Sequence, residues 1–161
     1  MKSLILSLTV LFSFSTFAAS PVGKYTQKHD VVAMMNDTAK KCKADGGKWD
    51  KEGEMCLVST SDDAEVTAEG TGFILRISTV NTIFHSCEFE GRAKLEGNKL
   101  ISKIPSEEYN HVTDTIDTVT CVLTAELTNK GKTMTISTNQ KCRSFCGANG
   151  WLDVTLNKVR K

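Results

Sequence analysis

The chain has no excess of charge of either sign. It contains 20 lysine and arginine residues against 19 aspartate and glutamate residues, a formal net charge of +1. Removal of the first nineteen residues would take away only Lys2, which leaves 19 of each sign. Proteins that bind nucleic acid or anionic membranes through bulk charge are basic. The composition therefore argues against both partners.

Several catalytic motifs are also absent. The sequence contains no glycine-rich phosphate loop, no serine nucleophile elbow and no HExxH zinc motif. Glu88 and Glu90 are two acids close together, but both are expected on the outer face of one strand. Glycosidase acids must flank a sugar bond in a cleft. We therefore predict a protein that is not an enzyme and holds no cofactor or metal.

The three histidines do not change this prediction. His85 lies two residues before Cys87, which resembles a Cys-His nucleophile pair, but such a pair needs a free thiolate. We expect His85 to be buried and hydrogen-bonded. His111 lies in the polar segment EEYNHVTD, which could hold a cation but is more typical of a solvated loop. We expect His29 to be exposed.

The first nineteen residues are typical of a secretory signal peptide. Lys2 gives a positive start, Leu4 to Phe17 is apolar apart from serine and threonine, and small residues follow. We place cleavage between Ala18 and Ser20. The apolar run is shorter than the ~20 residues that span a bilayer. The prediction is a periplasmic or secreted chain without a membrane span, with residues 20–161 forming one domain.

All six cysteines follow the predicted leader, and an even number in an exported chain indicates three disulfides. The cysteines are Cys42, Cys56, Cys87, Cys121, Cys142 and Cys146. A predicted hairpin over Lys48 to Val58 brings Cys56 back toward Cys42, which closes a loop worth about 3 kcal/mol in the loop-entropy model. The pairing of the other four stays open.

One helix is predicted near the N-terminus. Asp30 to Asp45 carries an apolar stripe at helical spacing, Asp30 is a suitable N-cap, and Gly46 is a natural stop. The polar, acidic segment from Ser59 to Gly72 is expected to be a surface loop or an irregular edge strand.

The rest of the chain alternates between apolar and polar residues, as strands with one buried face do. Inward positions are predicted at Phe73, Leu75, Ile77, Ile83, His85, Cys87, Phe89, Val119, Cys121, Leu123, Ala125, Leu127, Met134, Ile136, Leu152, Val154 and Leu156. Turn residues recur about every ten positions. The pattern predicts a mainly β fold: a disulfide-stapled, antiparallel, barrel-like meander of about seven or eight strands with one N-terminal helix.

The segment QKCRSFCGANGW, residues 140–151, carries the last two cysteines. A zinc site would need a second ligand pair, and no histidine lies near. A redox motif would have two residues between its cysteines and a βαβ setting. We interpret the segment as a structural loop tied by disulfides, with Gly147 and Gly150 allowing left-handed turns. Such a loop would present Lys141, Arg143, Ser144, Asn149 and Trp151 to a protein partner.

Three segments, HSCEFEGRA, TVTCVLTAEL and CRSFCGANGW, give the chain a resemblance to a known group. The chain resembles small periplasmic proteins of Gram-negative bacteria that neutralise hydrolases, especially lysozyme inhibitors, and the immunity proteins that guard against cell-wall toxins. The resemblance covers roughly the C-terminal half. The Ser-Gly-x-x-Tyr loop of the membrane-associated inhibitors is absent, so no residue that blocks an active site carries over.

The resemblance implies an exported protein that blocks another protein, such as a cell-wall hydrolase or toxin. Two other functions stay open. An eight-stranded barrel holds one small apolar molecule when its interior has room, and Phe73, Leu75, Phe89 and Leu123 would line that interior. A structural envelope protein is the third possibility, and it predicts oligomers.

Overall fold

A computed structural model of the protein describes residues 20–33, 38–81, 85–146 and 150–160. The predicted signal peptide lies outside these residues. In chain order the elements are β1 (Gly23–Ala33), α1 (Ala39–Ala44), β2 (Lys48–Asp50), β3 (Met55–Glu69), β4 (Gly72–Val80), β5 (Ser86–Glu96), β6 (Lys99–Asn110), β7 (Thr115–Thr128), β8 (Thr133–Thr138) and β9 (Val154–Lys158).

Eight of the strands form a closed antiparallel barrel. From β3 to β9 each strand pairs with the next in sequence, and β1 lies between β9 and β3. Closure removes the unpaired edges of the sheet. The short strand β2 lies outside the ring and pairs with the start of β3. The mainly β, barrel-like and disulfide-stapled fold predicted from the sequence is confirmed.

The barrel interior is filled by alternate side chains of its strands. They form one hydrophobic cluster with inward residues such as Tyr25, Leu75, Leu100, Leu123, Met134, Ile136 and Leu156, all fully buried. Ser102 is also buried, and its hydroxyl donates to the carbonyl oxygen of Arg92 at 2.7 Å. This bond satisfies a polar group that would otherwise be costly to bury.

The predicted helix from Asp30 to Asp45 is wrong over its first part. Residues 30–33 are the end of β1, where Val31 and Val32 lie opposite Val58 and Leu57. Branched side chains favour a strand when a partner strand is present. The helix spans only Ala39–Ala44, and its N-cap is Thr38, whose side chain accepts a hydrogen bond from the Lys41 amide.

The segment from Ser59 to Gly72 was predicted as a surface loop or an irregular edge strand, and it is neither. Most of it belongs to β3, which pairs with both β1 and β4. Asp62 in this strand is buried, and its carboxylate accepts a hydrogen bond from the amide of Val80 at 2.8 Å. A polar strand is stable here because both of its edges are hydrogen-bonded.

The two ends of the barrel differ. At one end, which we call the short-turn end, tight turns join β3 to β4, β5 to β6 and β7 to β8. Both ends of the described chain meet there: the Lys158 ammonium donates to the Ser20 carbonyl at 3.0 Å, and the Val159 amide donates to the Lys24 carbonyl at 2.8 Å. The opposite end carries α1, β2 and all three disulfides, and we call it the disulfide end.

Two hairpin ribbons extend from the disulfide end. β6 pairs with β5 only as far as Ser102, and β7 pairs with β8 only from Leu123 onward. Residues 104–110 and 115–121 therefore pair in ladders only with each other, and we call them the β6–β7 ribbon. A second ribbon joins the end of β1 to the start of β3, on the opposite side of the ring of strands.

Candidate protein-binding surface

The described cysteines are all oxidised, in three disulfides. Cys42 pairs with Cys56, as predicted from the hairpin. Cys87 pairs with Cys146, and Cys121 with Cys142, so the last two cysteines bond to strands and not to each other. Disulfides of this number indicate an oxidising environment and an exported protein. In the part of the chain that the structure describes, no helix has the length and hydrophobicity that a membrane crossing requires.

Residues 139–146, which we call the cystine loop, cross the disulfide end from β8 toward β5. Asn139 begins the crossing: its side chain accepts from the Val122 amide and donates to the Thr120 carbonyl. Cys142 then bonds to Cys121 on β7, and Cys146 reaches Cys87 on β5. The loop is therefore held covalently at two points, across the space where β5 and β6 separate.

The middle of the cystine loop closes the barrel interior. Residues 143–145 form one turn of 3₁₀ helix, and the Phe145 ring meets the Phe89 ring edge-on, with centroids 5.3 Å apart. Phe145 packs against the hydrophobic cluster. Edge-to-face aromatic pairs add to the energy of burial. The loop thus belongs to the core on one side and to the surface on the other.

The chain after the cystine loop is fixed by side chains near the end of β4. The Thr79 hydroxyl donates to the Trp151 carbonyl at 2.9 Å, and the Trp151 amide donates to the Asn81 side chain at 2.7 Å. Gly150 has an ordinary φ, so the predicted left-handed turn is wrong at this position. Its lack of a side chain serves another need, because a Cβ there would lie 2.8 Å from the Cys87 sulfur. Gly147 lies outside the described residues.

The five predicted binding residues take different positions. Lys141 forms an ion pair with Glu108 on the β6–β7 ribbon, and the Ser144 hydroxyl shares a hydrogen bond of 2.7 Å with that of Ser106. Arg143 is exposed, and no side-chain partner for it is found among the described residues. The Trp151 side chain is half exposed. Asn149 lies outside the described residues.

Sequence reasoning missed the tip of the β6–β7 ribbon. Tyr109 and Ile116 lie directly opposite each other, 50% and 67% exposed, and Val112 in the connecting turn is 94% exposed. Single exposed apolar residues are ordinary, but a group of them at one tip indicates a contact surface. The detectable signal was apolar residues inside the polar segment EEYNHVTDTID.

Polar side chains fix the conformation of this tip. The Asn110 side chain accepts from the amides of Val112 and Thr113, and the Tyr109 hydroxyl donates to Asp114. The hydrogen bond to Asp114 raises the pKa of Tyr109. The His111 ring packs edge-on against that of Tyr109, with centroids 4.7 Å apart. The polar side chains of the tip thus form hydrogen bonds within the turn, whereas its apolar side chains are exposed to solvent.

The other candidate sites from the sequence are not assembled. Cys87 is disulfide-bonded and therefore cannot pair with His85 as a nucleophile, and Glu90 pairs with Arg76. Half-buried His29 was expected to be exposed, but its Nε2 lies 2.8 Å from the Val80 carbonyl and its Nδ1 lies 3.5 Å from the Asp62 carboxylate. Across residues 20–33, 38–81, 85–146 and 150–160, no three His, Cys, Asp or Glu side chains converge to hold a metal ion.

A groove of about 1050 Å³ lies toward the short-turn end, lined by residues from both faces of β5. Half-buried Phe73 and Leu95, which also pack against the hydrophobic cluster, and Ile101 form its apolar part. Arg92, Lys94 and Lys103 supply positive charge, and Glu69 and Glu96 supply negative charge. Arg92 is paired with Glu69 at 2.9 Å. We call this surface the β4–β6 groove.

Comparisons of the chain with protein-family models, with curated proteins and with solved structures found no match.

Proposed function

We propose that the protein is an exported binding protein that blocks or neutralises another protein, such as a cell-wall hydrolase or a toxin, in the periplasm or outside the cell. The observation that carries this proposal is the cystine loop. Its backbone is fixed by two disulfides and its inner side by the Phe145–Phe89 contact, while its outer side is exposed.

A fixed loop favours tight binding, because ordering a flexible loop in a complex costs roughly 0.5–1.5 kcal/mol per immobilised side chain. In this protein folding and oxidation have already ordered the backbone. Lys141 and Ser144 are also held in place by the β6–β7 ribbon. The surface therefore has the rigidity that an inhibitor needs.

Arg143 is the residue of this surface best suited to recognise a partner. Its guanidinium group is exposed, and it carries five donors in a planar fork that matches a carboxylate. Wall hydrolases that cleave glycosidic bonds use a pair of catalytic carboxyl groups. We propose that Arg143 bonds to such an acidic group and that the protein itself performs no catalysis and needs no cofactor.

The packing of the barrel favours this role over transport of a small ligand. Of the four residues that would line a ligand site, Leu75 and Leu123 are fully buried within the hydrophobic cluster, and Phe89 is 3% exposed. The fourth, Phe73, is half-buried, packs against the same cluster and borders the open β4–β6 groove, not an enclosed cavity. Leu75, Leu123 and Phe89 belong to one hydrophobic cluster, and the Phe89 ring packs edge-on against that of Phe145. Because the barrel interior is filled, we propose a protein partner that binds the outer surface of the disulfide end and not a ligand inside the barrel.

The first prediction concerns Arg143. The immobilised protein, from residue 20 onward, is expected to retain at least one muramidase or endopeptidase from a set of purified cell-wall hydrolases. Arg143→Ala should weaken binding by at least about tenfold, the size of a lost charge-assisted hydrogen bond. Surface plasmon resonance measures the change.

The matched control is Arg160→Ala, which removes an exposed arginine after β9, at the short-turn end. Binding should be unchanged by this variant. If no hydrolase binds, or if Arg143→Ala and Arg160→Ala behave alike, the proposed role of the cystine loop is wrong.

A further inference from the structure

The outer face of β6 carries two features that are complementary to each other. Leu100 and Ser102 point into the barrel and are fully buried, so Ile101, Lys103 and Tyr109, at odd positions of the strand, face outward. Ile101 and Lys103 belong to the β4–β6 groove, and Tyr109 belongs to the ribbon tip. The outer face of β6 therefore carries a groove toward the short-turn end and an exposed tip beyond the disulfide end, with the middle of the strand between them.

The shapes and polarities of these features match. The tip offers Tyr109, Val112 and Ile116 on a narrow two-stranded ribbon. The groove, a concave space of about 1050 Å³, offers half-buried Ile101 on the outer face of β6 and the edge of Phe73, whose inner side packs against the hydrophobic cluster. Apolar surface of this kind is stabilised when a second apolar surface removes it from water.

The charges also match. The ribbon carries Glu107, Asp114 and Asp117 at exposed positions near its tip. The groove carries Lys94 and Lys103 against one acid, Glu96, besides the mutually paired Arg92 and Glu69, so its charge is positive by one. Glu107, Lys94 and Lys103 form no ion pair with any residue that the structure describes. Complementary potentials of this kind orient two surfaces and suppress wrong partners.

We propose that two copies of this chain form a two-fold dimer in which the ribbon tip of each copy occupies the β4–β6 groove of the other. Because groove and tip share one face, a single two-fold axis near the middle of the β6–β7 ribbon satisfies both contacts at once, and the assembly closes. The ribbons then lie antiparallel, and Glu107 of each copy lies near Lys103 of the other. This inference does not depend on the proposed blocking function.

Analytical ultracentrifugation of the oxidised protein, from residue 20 onward, tests the proposal. The protein should sediment as a monomer–dimer equilibrium. The double variant Val112→Asp/Ile116→Asp should weaken the dimer by roughly tenfold or more, because it replaces two apolar contacts by charges. Val159→Asp is the matched control, since Val159 is 48% exposed at the short-turn end. Its dimer should be as strong as that of the unchanged protein.

Charge reversal separates a direct contact from a loss of folding. Glu107→Lys and Lys103→Glu should each weaken the dimer, and the double variant Glu107→Lys/Lys103→Glu should restore it, because the pair across the interface is rebuilt with reversed signs. Circular dichroism and thiol titration check that each variant is folded and oxidised.

Three results would overturn the proposal. The first is a protein that stays monomeric at the highest soluble concentration. The second is a dimer with the same strength in the tip variant and in Val159→Asp. The third is a dimer that the double charge reversal fails to restore. None of the three results bears on the proposal that Arg143 binds a hydrolase, because that proposal is tested with other residues.

Discussion

Gly150 occupies a position where the fold has no room for a side chain. A Cβ there would lie 2.8 Å from the Cys87 sulfur and 3.0 Å from the Cys146 Cβ. The chain passes directly over the disulfide that attaches the cystine loop to β5. A glycine at this residue therefore allows the loop and the following strand to pack against the same sulfur atoms.

We expect Gly150→Ala to lower the free energy of unfolding by about 1–3 kcal/mol, the usual cost of an added methyl group in a packed site. Denaturant unfolding measures the change. Gly70→Asn is the control: Gly70 lies in open space at a left-handed φ, which asparagine tolerates. An equal loss in both variants would show that close packing around Gly150 is not the cause.

The buried carboxyl group of Asp62 makes the free energy of unfolding depend on pH. Burial raises the pKa of this carboxyl above its ordinary 3.8, whereas the hydrogen bond from Val80 and the nearby His29 act in the opposite direction. Between the ordinary and the raised value, the folded protein binds more protons than the unfolded chain. The free energy of unfolding therefore falls as pH rises through that interval.

Asp62→Asn keeps an oxygen that can accept from the Val80 amide but removes the titrating group. We expect the free energy of unfolding of this variant to fall less than that of the unchanged protein as pH rises from 3.8. Urea unfolding at a series of pH values measures the slopes. Glu96→Gln, at an exposed position at the end of β5 that does not contribute to the Asp62 shift, is the control and should keep the original slope. Equal slopes for Asp62→Asn and the unchanged protein would contradict the assignment.

At the scale of elements, alternation in the sequence predicts most of the strands. β4, β5, β7 and β8 have most of the expected inward residues, because one face of each strand packs on the core. His85 and Val119 are only half-buried, and Ile83 lies outside the described residues. The N-terminal third is less predictable. Val31 and Val32 are compatible with the apolar face of a helix or with a strand. The strand forms because Val58 and Leu57, more than twenty residues away in sequence, pair with them.

The polar β3 illustrates the same limit. Asp62 and Asp63 suggest a loop, but β1 and β4 pair with this strand on its two sides, and Val80 satisfies the buried carboxylate. The pairing of Cys87 and Cys121 was equally undetermined. Both were predicted correctly to face inward, and only the path of the cystine loop decides which of them meets Cys142 and which meets Cys146.

At the scale of the whole molecule, the disulfides contribute unequally to the stability of the fold. Cys42–Cys56 links residues 14 apart at one ribbon, outside the ring of strands, whereas Cys87–Cys146 links residues 59 apart and holds the cystine loop across the barrel end. In the loop-entropy model the two bonds are worth about 3 and about 4 kcal/mol. The Cys87–Cys146 disulfide also holds Phe145 in contact with Phe89.

We therefore expect Cys87→Ala/Cys146→Ala to lower the free energy of unfolding more than Cys42→Ala/Cys56→Ala. Guanidinium unfolding of both oxidised double variants measures the difference. Of these two variants only the first should also weaken hydrolase binding through Arg143, because Cys87–Cys146 anchors the cystine loop and Cys42–Cys56 does not. An equal or larger stability loss for the Cys42–Cys56 variant would show that the closure of the barrel end contributes less than we infer.

The meeting of the first and last strands at the short-turn end has a consequence for the order of the chain. Ser20 and Lys158 touch there, so in a chain limited to residues 20–160 a short linker could join the two termini, and new termini could be placed at Gly97–Asn98 on the same rim. Every strand would keep its neighbours in such a circular permutant. The order and pairing of the strands in this barrel therefore do not depend on the point at which the polypeptide begins.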